Sequence, residues 1–140
     1  MKTPRILIAD DVPYNRTLLH HLVKKFGDCD FAANGIEVLA AVEAAAAEGR
    51  PYDLILLDIM MPEMDGQEAL SELRKREAQA GVRLKDETKV VMVTSLGDWD
   101  NVLQGFKKGV VEYLVKPIRD DNLRELLAQM GFQPLTAAGK

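Results

Sequence analysis

The chain lacks the features on which several classes of protein depend. It has a single cysteine, Cys29, so no internal disulfide can form, and one thiol fits a reducing compartment. It lacks an excess of basic residues, since the formal net charge is -4 and the pI ≈ 5.2, which gives no electrostatic reason for direct contact with nucleic acid. It lacks an apolar run near the ~18 residues of a membrane span, and the apolar run within the start MKTPRILIAD is too short for a signal peptide. We therefore expect a cytoplasmic protein without membrane insertion.

The hydrophobic pattern predicts strands and helices in strict alternation. Short apolar runs bounded by polar or turn residues predict strands at 5–9, 30–33, 54–57, 90–93 and 112–115. Apolar residues at helical spacing predict helices from Pro13 to a stop at Gly27, and at about 36–46, 66–80, 98–108 and 123–130. This order predicts an α/β fold with a doubly wound, five-stranded parallel sheet of order 2-1-3-4-5. Residues 1–132 are predicted to form one domain and residues 133–140 a flexible C-terminal tail.

Polar residues directly follow four of the predicted strands, all at the same edge of the sheet. They are Asp10 and Asp11, Asp58, Thr94 and Ser95, and Lys116 and Pro117. Ligands of open parallel sheets bind at this edge, at the switch point between strands one and three, so Asp10, Asp11 and Asp58 are expected to converge. At an effective dielectric of ~20, two like charges ~4 Å apart repel by roughly 4 kcal/mol, so this cluster requires a cation or shared protons. An all-oxygen site without Cys or His suits Mg²⁺.

Asp58 is the candidate reactive residue, because it ends the apolar run 54–57 at the ligand-binding edge. With Mg²⁺ bound, an aspartate can attack phosphorus and form an aspartyl phosphate. Lys116 can then supply a cation and Thr94 a hydroxyl donor to the phosphoryl group.

These residues resemble those of the response-regulator receiver domains of two-component signalling, which have a flavodoxin-like (βα)5 fold. The similarity covers residues 5–130: in that family an acidic pair, a phosphoacceptor Asp, a Thr or Ser and a Lys-Pro end the corresponding strands, and the segment MPEMDG matches as well. The resemblance implies that Asp58 is the phosphoacceptor. It implies that Asp11, Asp58 and the backbone carbonyl of Met60 bind Mg²⁺ directly. Asp10 would help mainly through water.

The resemblance also implies how the signal is received and read. Thr94 and Lys116 would contact the phosphoryl group, and Tyr113 would turn inward when Thr94 moves toward it. The Lys116–Pro117 peptide bond is cis in the family. The implied partners are a sensor histidine kinase or histidine phosphotransfer protein and a downstream target protein, which meets the face of the fourth helix, fifth strand and fifth helix. Such a chain is a phosphoacceptor switch with intrinsic autophosphorylation and autodephosphorylation chemistry only, and not an enzyme.

Other interpretations make different demands on the sequence. A stand-alone receiver of the chemotaxis type is the expected role, and a receiver excised from a longer regulator or hybrid histidine kinase is the alternative. An Mg²⁺-dependent aspartyl-phosphate phosphatase of the haloacid dehalogenase group would need an acidic residue where this chain has Met60. A flavin-binding protein of the same fold would need a Ser/Thr/Gly-rich loop after the first strand, where this chain reads Asp-Asp-Val-Pro.

The chain departs from the family pattern near the predicted site. Ser95 follows Thr94, where Ala or Gly is common. Met60 and Leu96 are apolar, where family members often carry polar residues that position the hydrolytic water, so we expect slow self-dephosphorylation. The connector 75–89 is longer than in the most compact members.

Overall fold

The computed structural model describes residues 3–95 and 112–135, which form the predicted α/β sheet. The strands are β1 (Arg5–Ala9), β2 (Asp28–Ala32), β3 (Leu54–Asp58), β4 (Lys89–Thr94) and β5 (Glu112–Val115). The helices within the described ranges are α1 (Pro13–Val23), α2 (Gly35–Ala47), α3 (Gly66–Gln79) and α4 (Asp120–Gln129), with a short 3₁₀ turn at Leu84–Asp86. All neighbouring strands are parallel, in the order β2-β1-β3-β4-β5, so the predicted sheet is confirmed.

Helices cover both faces of the sheet. β3 is buried along its whole length, which explains its uninterrupted run of apolar residues. On one face α2 and α3 contribute buried side chains that include Leu39 and Leu70, and on the other α1 and α4 contribute Leu19 and Leu127. β1 and β3 lie side by side in register, from Ile6 opposite Leu54 to Ala9 opposite Leu57, so their carboxyl ends meet at one edge.

Some predicted boundaries were wrong. α1 ends at Val23 rather than at Gly27, because the N–H of Phe26 turns back to the Val23 carbonyl oxygen at 2.8 Å and Phe26 enters the core from that turn. β2 begins earlier than predicted, at Asp28, whose N–H donates to the Pro4 carbonyl oxygen at 2.9 Å. The polar Asp28 hid the first residues of this strand from the hydrophobic pattern. Backbone bonds to β1 hold this edge strand, and its Cys29 and Ala32 pack against the two sides of the core.

Parts of the predictions fall outside the described residues. The fourth predicted helix, 98–108, and Leu96 are among them, and α4 corresponds to the fifth predicted helix. Residues 136–140 of the predicted tail also lie outside the described residues. The described part of the tail ends at Leu135, whose N–H donates to the Lys25 carbonyl oxygen at 2.7 Å. Among the helices of the described ranges, none has the length and apolar character needed to cross a bilayer.

A buried carboxylate fastens the connector between α3 and β4. Glu77, near the end of α3, is 9% exposed and accepts hydrogen bonds from the Thr88 N–H at 2.9 Å and from Arg74 Nη1 at 2.8 Å. Arg74 also donates to the Thr88 carbonyl oxygen at 2.8 Å, and the Thr88 hydroxyl donates to the Tyr52 carbonyl oxygen at 3.0 Å. These bonds attach the connector to both α3 and the segment that leads into β3.

We expect Glu77→Ala to lower the free energy of unfolding by about 2–3 kcal/mol, because it leaves the buried Thr88 N–H without its acceptor and removes the carboxylate that pairs with the Arg74 guanidinium. The matched control is Glu72→Ala on the same helix, which removes a more exposed ion pair with Arg76 at 3.1 Å. That change should cost less than about 1 kcal/mol. Urea unfolding followed by circular dichroism measures both variants, and equal losses would contradict the fastening role.

Candidate functional site

Three carboxylates meet at the carboxyl ends of β1 and β3. Asp10 and Asp11 follow β1, and Asp58 is the last residue of β3. Asp10 is 0% exposed and Asp58 6%, whereas Asp11 is exposed. One oxygen from each of the three carboxylates lies within 4.8 Å of the others. The structure thus brings together the acidic residues that the strand order had predicted to converge.

Lys116 brings a positive charge to the two buried carboxylates. Its Nζ lies 3.1 Å from Asp58 Oδ2 and 3.3 Å from Asp10 Oδ2. The Lys116 N–H donates to the Thr94 carbonyl oxygen at 2.6 Å, which holds the start of the loop after β5 against the end of β4. The peptide bond between Lys116 and Pro117 is cis.

The site carries more negative than positive charge. Burial, followed by the charge of Asp10, raises the pKa of Asp58 to about 6, although Lys116 opposes the shift. Burial lowers the pKa of Lys116, but the charges and hydrogen bonds of Asp58 and Asp10 outweigh burial and raise that pKa overall. Within residues 3–95 and 112–135, the Lys116 ammonium group contacts two of the three carboxylates that meet here. Three oxygen donors with residual negative charge fit a hard divalent cation.

The segment after Asp58 folds back onto the end of β3. The Met60 N–H donates to Asp58 Oδ1 at 3.2 Å, and the Gly66 N–H donates to the Ile59 carbonyl oxygen at 2.8 Å. A Cβ on Gly66 would clash with the carbonyl oxygen of Asp58, so the start of α3 can approach the site only with glycine at this position. Reasoning from the sequence missed this role, although Gly66 closes the MPEMDG segment that had been singled out.

Thr94 and Tyr113, the predicted switch pair, lie on the neighbouring strands. Asp58 pairs with Val93, so Thr94 lies one residue further along β4, at the same sheet edge as Asp58. Its side chain is buried, and its hydroxyl donates to the Ser95 carbonyl oxygen at 3.2 Å. Tyr113 is half-buried against the core on the α2 and α3 side, and burial raises its pKa.

The comparison with known families decides the identity of this arrangement. The family profile described as the response regulator receiver domain matches residues 6–128. The chain belongs to this family. Its members include chemotaxis proteins such as CheY of Listeria monocytogenes, which is 35% identical over 128 residues; the alignment covers 88% of this chain and 94% of that protein.

Other relatives of this receiver differ in length. The transcriptional regulatory protein ResD of Bacillus subtilis is 38% identical over 115 residues, and the alignment covers 81% of this chain but 42% of ResD. Among solved structures, the CheX-CheY-BeF3-Mg+2 complex from Borrelia burgdorferi contains a chain with a TM-score of 0.75 and 25% identity, with 91% of this receiver and 88% of that chain covered. The CheY-like receiver fold is therefore established.

Proposed function

We propose that this receiver is a phosphorylation-controlled switch in which Asp58 accepts a phosphoryl group in an Mg²⁺-dependent reaction. The observation that carries the proposal is the contact of Lys116 Nζ with Asp58 Oδ2 at 3.1 Å, beside the carboxylates of Asp10 and Asp11. A buried carboxylate with one cation beside it and an acidic cluster around it can hold a metal and present an oxygen to phosphorus.

The donor in this proposal is the phosphohistidine of a sensor kinase or of a histidine phosphotransfer protein. A carboxylate oxygen of Asp58 forms a bond to phosphorus as the phosphorus–nitrogen bond breaks, and the nitrogen keeps the electron pair of that bond. Lys116, already placed against Asp58, offsets the charge of the transferring oxygens. The chain contributes the acceptor and its surroundings rather than catalysis of an external substrate, so we class it as a switch and not an enzyme.

The residues present fit Mg²⁺ by their chemistry, since the donors are oxygens and no thiolate or imidazole is among them. Asp11, Asp58 and the Met60 carbonyl would hold the ion directly and Asp10 through water. When bound, the ion would neutralise charge on the phosphoryl oxygens. Asp10 also keeps Lys116 in place through its own contact at 3.3 Å.

The output of the proposed switch is a changed protein-binding surface. Thr94 moves toward the phosphoryl group and Tyr113 turns further inward, which changes the face that includes β5 and α4. A downstream protein then binds that face; the Borrelia relative was solved in a complex named with CheX and CheY. The alignment covers nearly all of the Listeria CheY but less than half of ResD, so the stand-alone role stays a prediction. The cytoplasmic location stays a prediction as well.

The proposal is tested by the metal requirement of phosphorylation. Incubation with acetyl phosphate should add one phosphoryl group in Mg²⁺ and none in a chelator, as read by intact mass and Phos-tag gels. The chelated sample is returned to excess Mg²⁺ as the control for damage. Phosphorylation of equal extent with and without the metal would rule out the proposed role of the acidic cluster.

The side chain at position 60 is expected to set the lifetime of the acyl phosphate. Met60 is 52% exposed, and its thioether cannot orient an attacking water as a polar amide can. Met60→Asn should shorten the lifetime about tenfold, the equivalent of one added hydrogen bond in the transition state. Decay of the purified phosphoprotein after removal of the donor measures this. An unchanged or longer lifetime would refute the expectation.

A further inference from the structure

An arginine of α1 binds the backbone of the acidic pair. Arg16 Nη1 donates to the carbonyl oxygen of Asp10 at 2.6 Å, although Arg16 is one turn into the helix. The Arg16 N–H donates to the Val12 carbonyl oxygen at 3.1 Å, and Val12, the N-cap of α1, provides no side-chain cap. The first turn of α1 and the end of β1 are therefore joined through Arg16.

This bond completes the set of partners that fixes Asp10. The Asp10 N–H donates to the Ala32 carbonyl oxygen at 3.1 Å, and Oδ1 accepts the Val12 N–H at 2.9 Å. Lys116 Nζ contacts Oδ2 at 3.3 Å. Each polar atom of this fully buried residue thus has a partner, and Arg16 supplies the one for the backbone carbonyl.

We infer that Arg16 is a positioning residue for the divalent-cation site of this receiver, an inference that rests on the proposed function. By holding the Asp10 carbonyl, Arg16 fixes the chain direction from Asp10 into Asp11, whose carboxylate is the exposed member of the cluster. Groups that hold metal ligands in place commonly contribute 10- to 100-fold to metal affinity.

The direction in which Mg²⁺ affinity changes when Arg16 is replaced distinguishes a positioning role from a purely electrostatic one. The guanidinium is positive, so its charge alone opposes the binding of a cation, and its removal would then raise the affinity for Mg²⁺. Removal of a positioning bond lowers that affinity. Arg16→Met is therefore expected to weaken Mg²⁺ binding about tenfold or more, against the direction that charge would give.

Calorimetric titration of the unphosphorylated chain with Mg²⁺ tests the inference. Arg124→Met is the matched control, because Arg124 is an exposed arginine on α4 that pairs with Asp120 at 3.3 Å. This control should bind Mg²⁺ as the wild type does. Arg16→Lys, which keeps the charge and a shorter donor, should recover part of the affinity lost in Arg16→Met. Hydrogen exchange of the peptide spanning residues 10–16 should be faster in metal-free Arg16→Met, while circular dichroism verifies the fold.

The possible outcomes distinguish failure of the positioning role of Arg16 from failure of the proposed function. If the wild type binds Mg²⁺ and folded Arg16→Met binds it equally well or more tightly, the positioning role is overturned and the proposed function stands. If Arg16→Met does not fold, the same comparison is made between the wild type and Arg16→Lys, and undiminished affinity in Arg16→Lys overturns the role. If the wild type itself binds no Mg²⁺, the proposed function fails, and this inference fails with it.

Discussion

Lys116→Met is expected to slow the phosphorylation of Asp58 by about 10²- to 10³-fold, the usual loss when a placed electrostatic donor is removed from a reaction centre. The lysine contacts both buried carboxylates, and its reach to Asp58 Oδ2 is 3.1 Å. Without it, the approach of a negatively charged phosphoryl donor meets carboxylate charge that the ammonium group no longer offsets. The initial rate with acetyl phosphate at saturating Mg²⁺ measures the effect.

The matched control for this experiment is Lys89→Met. Lys89 is exposed at the opposite end of β4, so its loss removes the same charge from the chain without touching the site. We expect its rate to stay within about twofold of wild type. A Lys116→Met rate in that same range would contradict the role assigned to the contact.

Asp58→Asn is expected to stabilise the metal-free protein at pH 7 by about 1–2 kcal/mol. The pKa of Asp58 is raised from 3.8 to about 6 by its burial and by Asp10. Between these values the folded chain binds more protons than the unfolded chain at this residue, so this carboxyl group destabilises the fold progressively as the pH rises from 4 to 6. Asparagine has no charge to desolvate, and the penalty disappears.

Urea unfolding in a chelating buffer from pH 4 to pH 7 checks this expectation. The advantage of Asp58→Asn over wild type should be small near pH 4, grow through the window that ends near the pKa of about 6, and then level off. Asp86→Asn, which removes an exposed partner of Arg83, is the control and should show no such rise. A constant or shrinking difference across the range would refute the account of the buried charge.

The fold and the principal site residues could be predicted because both depend on local pattern and strand order. β1 and β5 have the predicted bounds, and the ends of β1 and β3 meet because parallel neighbours place their carboxyl ends at one edge. Asp10 and Asp58 follow from that rule alone. The edge of the sheet that carries the site could therefore be predicted from strand order alone, without knowledge of side-chain positions.

The remaining features depend on contacts that no periodicity encodes. Glu77 caps the amide of Thr88 eleven residues away, and Arg16 reaches back from α1 to a backbone carbonyl. Phe26 is buried from a turn rather than from the helix its spacing suggested. In each case the surroundings of a charged or aromatic side chain are fixed only once the elements have packed.

The central claim is that Asp58 is the residue that receives the phosphoryl group, and its most direct test compares wild type with Asp58→Asn. Both proteins are incubated with acetyl phosphate and Mg²⁺, and their intact masses are recorded, with peptide mapping to locate any adduct. We predict one phosphoryl group on the wild type, located on the peptide that contains Asp58, and none on folded Asp58→Asn. An adduct of equal extent on the variant, or no adduct on the wild type, would contradict the account.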